Sequence, residues 1–235
     1  MKKLVFPILG LLMLGLSSCV KPADRIESFI LPGFVDLTFN LTTTLRTSLG
    51  QISCSELQDV TDLMYGDAVV AEFSINWDQQ PSKDYKLVND FYYEKVDIGG
   101  AAGTTGGDSQ TGDFTFPIEN FGVIGLFEKT LFIVCVHKAP EDQKFSYEMT
   151  YDRDVTSGYQ ILKIRAKKVD EGTEVEKTVI RYFAFRLDNF FENSDEEIIK
   201  YQILFKTGVD SEGKDKYDVY QDPRTGDSIF RYDKE

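Results

Sequence analysis

Ala68-Val69-Val70-Ala71-Glu72-Phe73-Ser74-Ile75-Asn76-Trp77 is the stretch on which the fold class turns. Successive side chains of an extended chain point to opposite faces, so Val69, Ala71, Phe73, Ile75 and Trp77 share one face while Val70, Glu72, Ser74 and Asn76 share the other. A fully apolar face backed by a mixed one predicts a strand lying over a core. Upstream, Phe34 to Leu41 alternates after its first pair, and Thr42 to Leu49 extends the β-favouring region to Gly50. Ser55-Glu56-Leu57-Gln58 reads as a capping box opening a short helix, with Leu57, Val60 and Met64 at helical spacing and Gly66 as its stop. Downstream, a polar turn through Pro81 and Ser82 leads to Tyr85–Val88 and Phe91–Val96. Five or so strands in about 65 residues predict a small barrel over 33–98.

Composition agrees. The 18 Phe and 12 Tyr stand among Val, Ile and Thr, residues that suit half-buried pleated surfaces. Gly99-Gly100-Ala101-Ala102-Gly103-Thr104-Thr105-Gly106-Gly107 can bury no large side chain of its own, so residues 99–112 are expected to be a linker or loop between two domains. Beyond it, strands are expected at 114–118, 130–137, 144–151, 159–168, 178–187 and 198–205, separated by turns such as Ala139-Pro140-Glu141-Asp142. Six strands at this spacing predict a β-sandwich over 113–235, with a C-terminal hairpin tail formed by 217–220 and 228–232. The whole is all-β.

The first residues carry a different message. Lys2 and Lys3 precede the apolar run Leu4 to Leu16, which is too short to span a bilayer, and Leu16-Ser17-Ser18-Cys19 has the form of a lipobox. Residues 1–18 are expected to be a lipoprotein signal peptide and Cys19 the lipidation site, with 19–32 a tether. The formal charge of −13 becomes two units more negative once Lys2 and Lys3 leave with the signal. A surface of that sign repels nucleic acid and anionic lipid, so attachment to the membrane would rest on fatty-acyl chains at Cys19, palmitate among them.

The catalytic options are few. His137 is the only histidine, which excludes multi-histidine metal centres. Cys135 shares its strand face, but residues two apart on a strand stand about 6.5–7 Å from one another, beyond hydrogen-bond reach, so no Cys-His dyad is expected. Cys54 and Cys135 could pair in an oxidising compartment, or Cys135 could stay a buried free thiol within Leu131–Val136; both readings stand. The glycine run lacks the Lys-Ser/Thr of a phosphate cradle. Asp210-Ser211-Glu212-Gly213 lacks the bidentate Glu of a calcium loop and reads as a solvated turn. The spacing of acidic residues selects no carboxylate pair. Trp77, Tyr85 and Tyr92, with Phe91 and Tyr93 near them, are either core and rim or a platform on which sugar rings could stack.

Gly66–Ile75 followed by Asp84–Tyr92, and later Leu131–His137, Ile161–Ala166 and Tyr182–Leu187, resemble the NigD-like lipoproteins of Bacteroides-type bacteria over nearly all of the mature chain. The resemblance implies an N-terminal OB-like barrel and a C-terminal β-sandwich, and it carries over no catalytic residue. It also implies a role in immunity to a bacteriocin-like product. The expectation is a non-enzymatic, lipid-anchored envelope protein of the outer membrane that needs no cofactor and binds a protein or peptide partner, a basic one by charge. The alternative is a surface glycan-binding lipoprotein using Trp77, Tyr85 and Tyr92.

Overall fold

The computed structural model describes residues 25–38, 41–80, 84–104, 114–152, 158–192 and 196–234. The first sheet holds β1 (Ile26–Leu37), β2 (Thr43–Thr47), β3 (Gly50–Ser53), β4 (Ala68–Asn76), β5 (Lys86–Leu87) and β6 (Asn89–Val96), in the order β5-β3-β2-β1-β4-β6. Val69, Ala71, Phe73 and Ile75 of β4 all point into the core, as their alternation requires. β5 and β6 lie at opposite ends of the order, yet Val88 alone separates them in the chain, and its N–H donates to the Ser53 carbonyl at 3.0 Å. The sheet therefore curls round a core that includes Leu45, Ile52, Leu57 and Phe73.

Two expectations for this region are corrected. Among the described residues the first strand starts at Ile26, so residues 26–32 are not tether: they pair with β4 from Ile26↔Asn76 to Pro32↔Val70. Pro32 hid this strand from sequence reading, but β2 joins β1 only from Gly33 onward, so β1 has a neighbour on one side alone at that point, where proline is tolerated. The helix α1 (Ser55–Gln58) forms, but no side-chain cap accompanies it, and it stops before Val60, leaving Met64 exposed. Gln58 instead ties α1 to β2, accepting from Thr43 N–H at 3.1 Å and donating to the Thr43 carbonyl at 2.7 Å.

The second sheet holds β7 (Ile98–Thr104), β8 (Asn120–Phe127), β9 (Thr130–Ala139), β10 (Phe145–Asp152), β11 (Gln160–Lys168), β12 (Lys177–Arg186), β13 (Ile198–Val209), β14 (Asp215–Val219) and β15 (Phe230–Asp233). Its order is β14-β13-β11-β10-β7-β12-β9-β8, with β15 also on β13. At about 4.8 Å per strand, a flat sheet would hold β8 and β13 roughly 29 Å apart. Phe121 and Phe205 nevertheless stack with centroids 5.2 Å apart, so this sheet too is strongly curled. Its core includes α2 (Asp188–Glu192), through Phe190 and Phe191.

The glycine run is the largest departure from the sequence reading. Residues 99–104 are not linker: β7 lies inside the second sheet, parallel to both β10 and β12. A Cβ on Gly99 would come within 3.2 Å of the Phe183 ring and 3.3 Å of Phe185, a tight fit, so glycine lets its neighbours' rings close over the strand. Residues 105–112 lie outside the described residues, as do the signal peptide, Cys19, and the tether to residue 24. β8 was hidden for the same reason: a Cβ on Gly122 would lie 2.8 Å from Val134. Residues 114–118 form no strand; Phe116 makes an isolated bridge to Ala166. The expected C-terminal hairpin does not form either, since β14 and β15 each pair with β13 rather than with one another.

A third apolar cluster joins the sheets. Phe34, Ala68, Val70 and Val96 of the first meet Phe132 and Ala184 of the second. Arg46 reinforces the junction, gripping Glu128 through two contacts at 2.6 and 2.9 Å and Asp36 at 3.0 Å. Cys54 belongs to the first core and Cys135 to the second; both are free and buried, so the disulfide does not form. Burial pushes the Cys54 thiol up to about 11 and raises Cys135 as well, leaving neither reactive.

Candidate functional site

His137 has a structural role. The Pro117 carbonyl can only accept, so Nδ1 carries the proton and donates across 2.9 Å, leaving Nε2 to accept from the Tyr147 hydroxyl at 2.8 Å. Phe145 stacks on the ring at 4.3 Å. Burial holds the imidazole pKa below its ordinary value, the nearby Arg181 charge helping and the Pro117 contact opposing. The unfolded chain thus takes up a proton near pH 6.5 that the folded chain refuses. Stability should fall as pH drops from about 6.5 towards the folded-state pKa, by at most about 1.4 kcal/mol per pH unit. Urea unfolding at pH 5 to 7 measures this slope, and His137→Gln should flatten it relative to the parent chain.

The aromatic residues singled out in sequence do not form one platform. Trp77 packs edge-on against Phe29 at 6.4 Å, over the first core. Tyr85 is half-buried, on the segment leading into β5. Phe91 and Tyr93 face inward and stack at 6.0 Å, with the Tyr93 hydroxyl donating to Asp62 at 2.7 Å. Tyr92 lies on the opposite face, 69% exposed and paired across the sheet with Glu72. Asp210 closes the turn before β14 by accepting from Glu212 N–H at 2.8 Å and Lys214 N–H at 2.9 Å, so its carboxylate is engaged by its own backbone.

The concave surface that stands out runs along the seam between the sheets. Its larger part, about 470 Å³, lies between Glu94 and Asp97 on one side and the 141–145 turn with Arg181, Tyr182 and Phe183 on the other. The turn is held rigidly. Asp142 accepts from the Thr173 hydroxyl at 2.7 Å and from the Thr173 and Glu174 N–H groups, which drives its carboxyl down to about 2. Arg181 donates to the Glu141 and Gln143 carbonyls, and Lys177 pairs with the Glu141 carboxylate. A smaller recess of about 180 Å³ continues the seam, sharing Glu94 and Tyr182 and adding Ile30, Val70, Glu72 and Tyr92. Desolvation by the walls raises the Glu94 carboxyl, with Arg181 opposing, and raises Tyr182, with Glu94 and Glu72 adding to the shift.

Such a lining supplies charge, hydrogen bonds and ring faces. Among the described residues, no group of three or more His, Cys, Asp or Glu side chains is placed to hold a metal ion. Of the aromatic residues singled out from sequence, Tyr92 and its neighbour Tyr93 reach the seam, while Trp77, Tyr85 and Phe91 do not. Glu72, Glu94, Arg181 and Tyr182 were missed, and the one available signal was Glu72, the single charge within β4.

No family model matches the sequence, and no curated protein matches it significantly. Solved structures do match in fold. An uncharacterized protein from Parabacteroides merdae aligns with TM-score 0.65 at 12% identity, over 87% of this chain and 98% of its own. A candidate lipoprotein from Bacteroides fragilis aligns at 0.50 and 12% identity, over 83% of this chain and 96% of its own. A NigD-like immunity protein from Bacteroides caccae aligns at 0.50 and 14% identity, over 92% of this chain and 99% of its own. The resemblance read from the strand segments is thus matched by a NigD-like structure among the chain's fold neighbours.

Proposed function

We propose that this chain is a non-enzymatic lipoprotein of the cell envelope, anchored in the outer membrane by acyl chains on Cys19, that binds a protein or peptide partner along the seam. The observation that carries the reading is the seam itself: an open groove of rings and carboxylates, with the chain's one histidine buried behind its Phe145 and Tyr147 wall in two hydrogen bonds. Its fold neighbours, an immunity protein and a candidate lipoprotein, support an envelope setting and an immunity-like role. The first sheet reads as an OB-like barrel, because β5 and β6 close it between β3 and β4 and α1 sits between the same two strands. The second reads as a sandwich whose two layers are halves of one curled sheet. A glycan reading retains Tyr92 alone, since Trp77 packs on the core.

Cross-linked affinity capture of the native lipidated protein from envelope extracts tests the reading. Tyr92→Ala with Tyr182→Ala should lower recovery of the captured partner at least tenfold; full recovery would place the partner away from the seam. Cys19→Ser should move the protein from the membrane to the soluble fraction and abolish fatty-acid labelling, and persistence in the membrane would refute the anchor.

A further inference from the structure

The smaller recess has a composition that the rest of the seam does not share. Strand register lays out its floor in two rows: Ile30, Glu72 and Tyr92 across β1, β4 and β6, then Pro32, Val70 and Glu94 one step along. Glu72 and Glu94 are therefore diagonal neighbours, their backbones about 7–8 Å apart. Neither makes an ion pair among the described residues: Lys95 is taken by Asp67 at 2.7 Å, and Arg181, whose charge attracts Glu94, directs its guanidinium to backbone carbonyls instead. Two carboxylates on neighbouring strand positions, neither ion-paired, favour a cation between them.

The remaining walls narrow what that cation is. Tyr92 and Tyr182 flank the carboxylates, and Ile30 and Val70 are apolar. Ring faces attract a cation within about 6 Å of their centroids, and an apolar floor accommodates an alkyl stem. A volume of about 180 Å³ is too small for a drug-sized molecule, which needs about 300 Å³ or more, and fits a single long side chain. We infer that this recess is a receptor for one lysine or arginine side chain of the partner, the alkyl stem on Ile30 and Val70 and the charge between Glu72 and Glu94. The chain's net charge of −13 would steer such a partner in. The assignment rests on the partner-binding reading and specifies what that partner must present.

The test is methyl NMR of the full-length protein in detergent, observing the Ile30 and Val70 methyl groups. The probes are a capped Gly-Ser heptapeptide with a central lysine and the same peptide with norleucine. The lysine peptide should shift both methyls saturably, and the norleucine peptide should not. Glu72→Gln with Glu94→Gln should raise the apparent Kd at least tenfold without lowering Tm, since both side chains are exposed. Equal shifts from norleucine, an unchanged Kd in the double variant, or the same shifts from calcium chloride at matched ionic strength would each overturn the assignment. Undiminished envelope capture by the double variant would also refute the receptor while leaving the partner reading intact. Lysine-peptide binding with no partner captured would uphold the receptor and refute that reading.

Discussion

Asp215→Asn should destabilise the protein by about 3 kcal/mol, the low end of the cost of stripping one partner from a buried ion pair, because Asp215 itself is 23% exposed. Lys206 and Arg165 are 2% and 4% exposed, and Asp215 lies between them, on Lys206 Nζ and 3.7 Å from Arg165 Nη1. Arg165 retains Glu148 at 2.6 Å. Among the described residues Lys206 would retain only a carbonyl, that of Phe114 at 3.1 Å, which cannot neutralise an ammonium group. The segment that buries the lysine is also tied to it, since Ile118 N–H donates to the Lys206 carbonyl at 2.9 Å. Loss of the carboxylate should therefore drive Lys206 towards water and lift residues 114–118 off the sheet. Urea unfolding reads the loss, and adding Lys206→Met to Asp215→Asn should recover most of it, because an apolar stem of similar length needs no counter-charge. A cost below about 1 kcal/mol for the single change would mean that water already reaches the ammonium.

The same residues show why part of the fold was legible in sequence and part was not. β4 could be read because its period of two is written in large side chains, Val69, Ala71, Phe73 and Ile75, on one face. β7 could not, because its pattern is written in the neighbours: Gly99 leaves the space that Phe183 and Phe185 fill. Lys206 sits in a strand that reads as buried, yet a lysine there suggests solvent until the counter-charge on β14 is placed beside it. The seam was still less accessible. The β4–β6 register sets Glu72 beside Glu94 and packing of the second sheet adds Tyr182, and nothing in the local sequence of any one of them records the other two. The aromatic character of Tyr92 is legible in the sequence, but its place beside two carboxylates comes from the β4–β6 register.

Phe132→Ala should cost about 3–5 kcal/mol, and its effect should cross from one sheet to the other. The ring is fully buried in the cluster that joins the sheets, 5.7 Å from Phe34. Phe34 in turn stacks on Phe127 at 6.1 Å, so one first-sheet aromatic is held by two second-sheet rings. A cavity at this point removes contacts from Ala68 and Val70 of β4 as well as from Ala184 of β12. Leu45→Ala offers the contrast. It also empties a fully buried position, at about 2–5 kcal/mol, but Leu45 belongs to the first core alone. Amide hydrogen exchange separates the two. Leu45→Ala should speed exchange across the first sheet only, whereas Phe132→Ala should speed it around Ala68 and Ala184 together. If Phe132→Ala left the β4 amides as protected as in the parent chain, the sheets would be energetically independent. The recess between Tyr92 and Tyr182 would then lie across a joint free to open, since Tyr92 comes from one sheet and Tyr182 from the other. Coupled protection instead means that the recess has fixed walls, so a partner's side chain would meet Tyr182 already in place opposite the two first-sheet carboxylates, and less ordering entropy would be lost on binding.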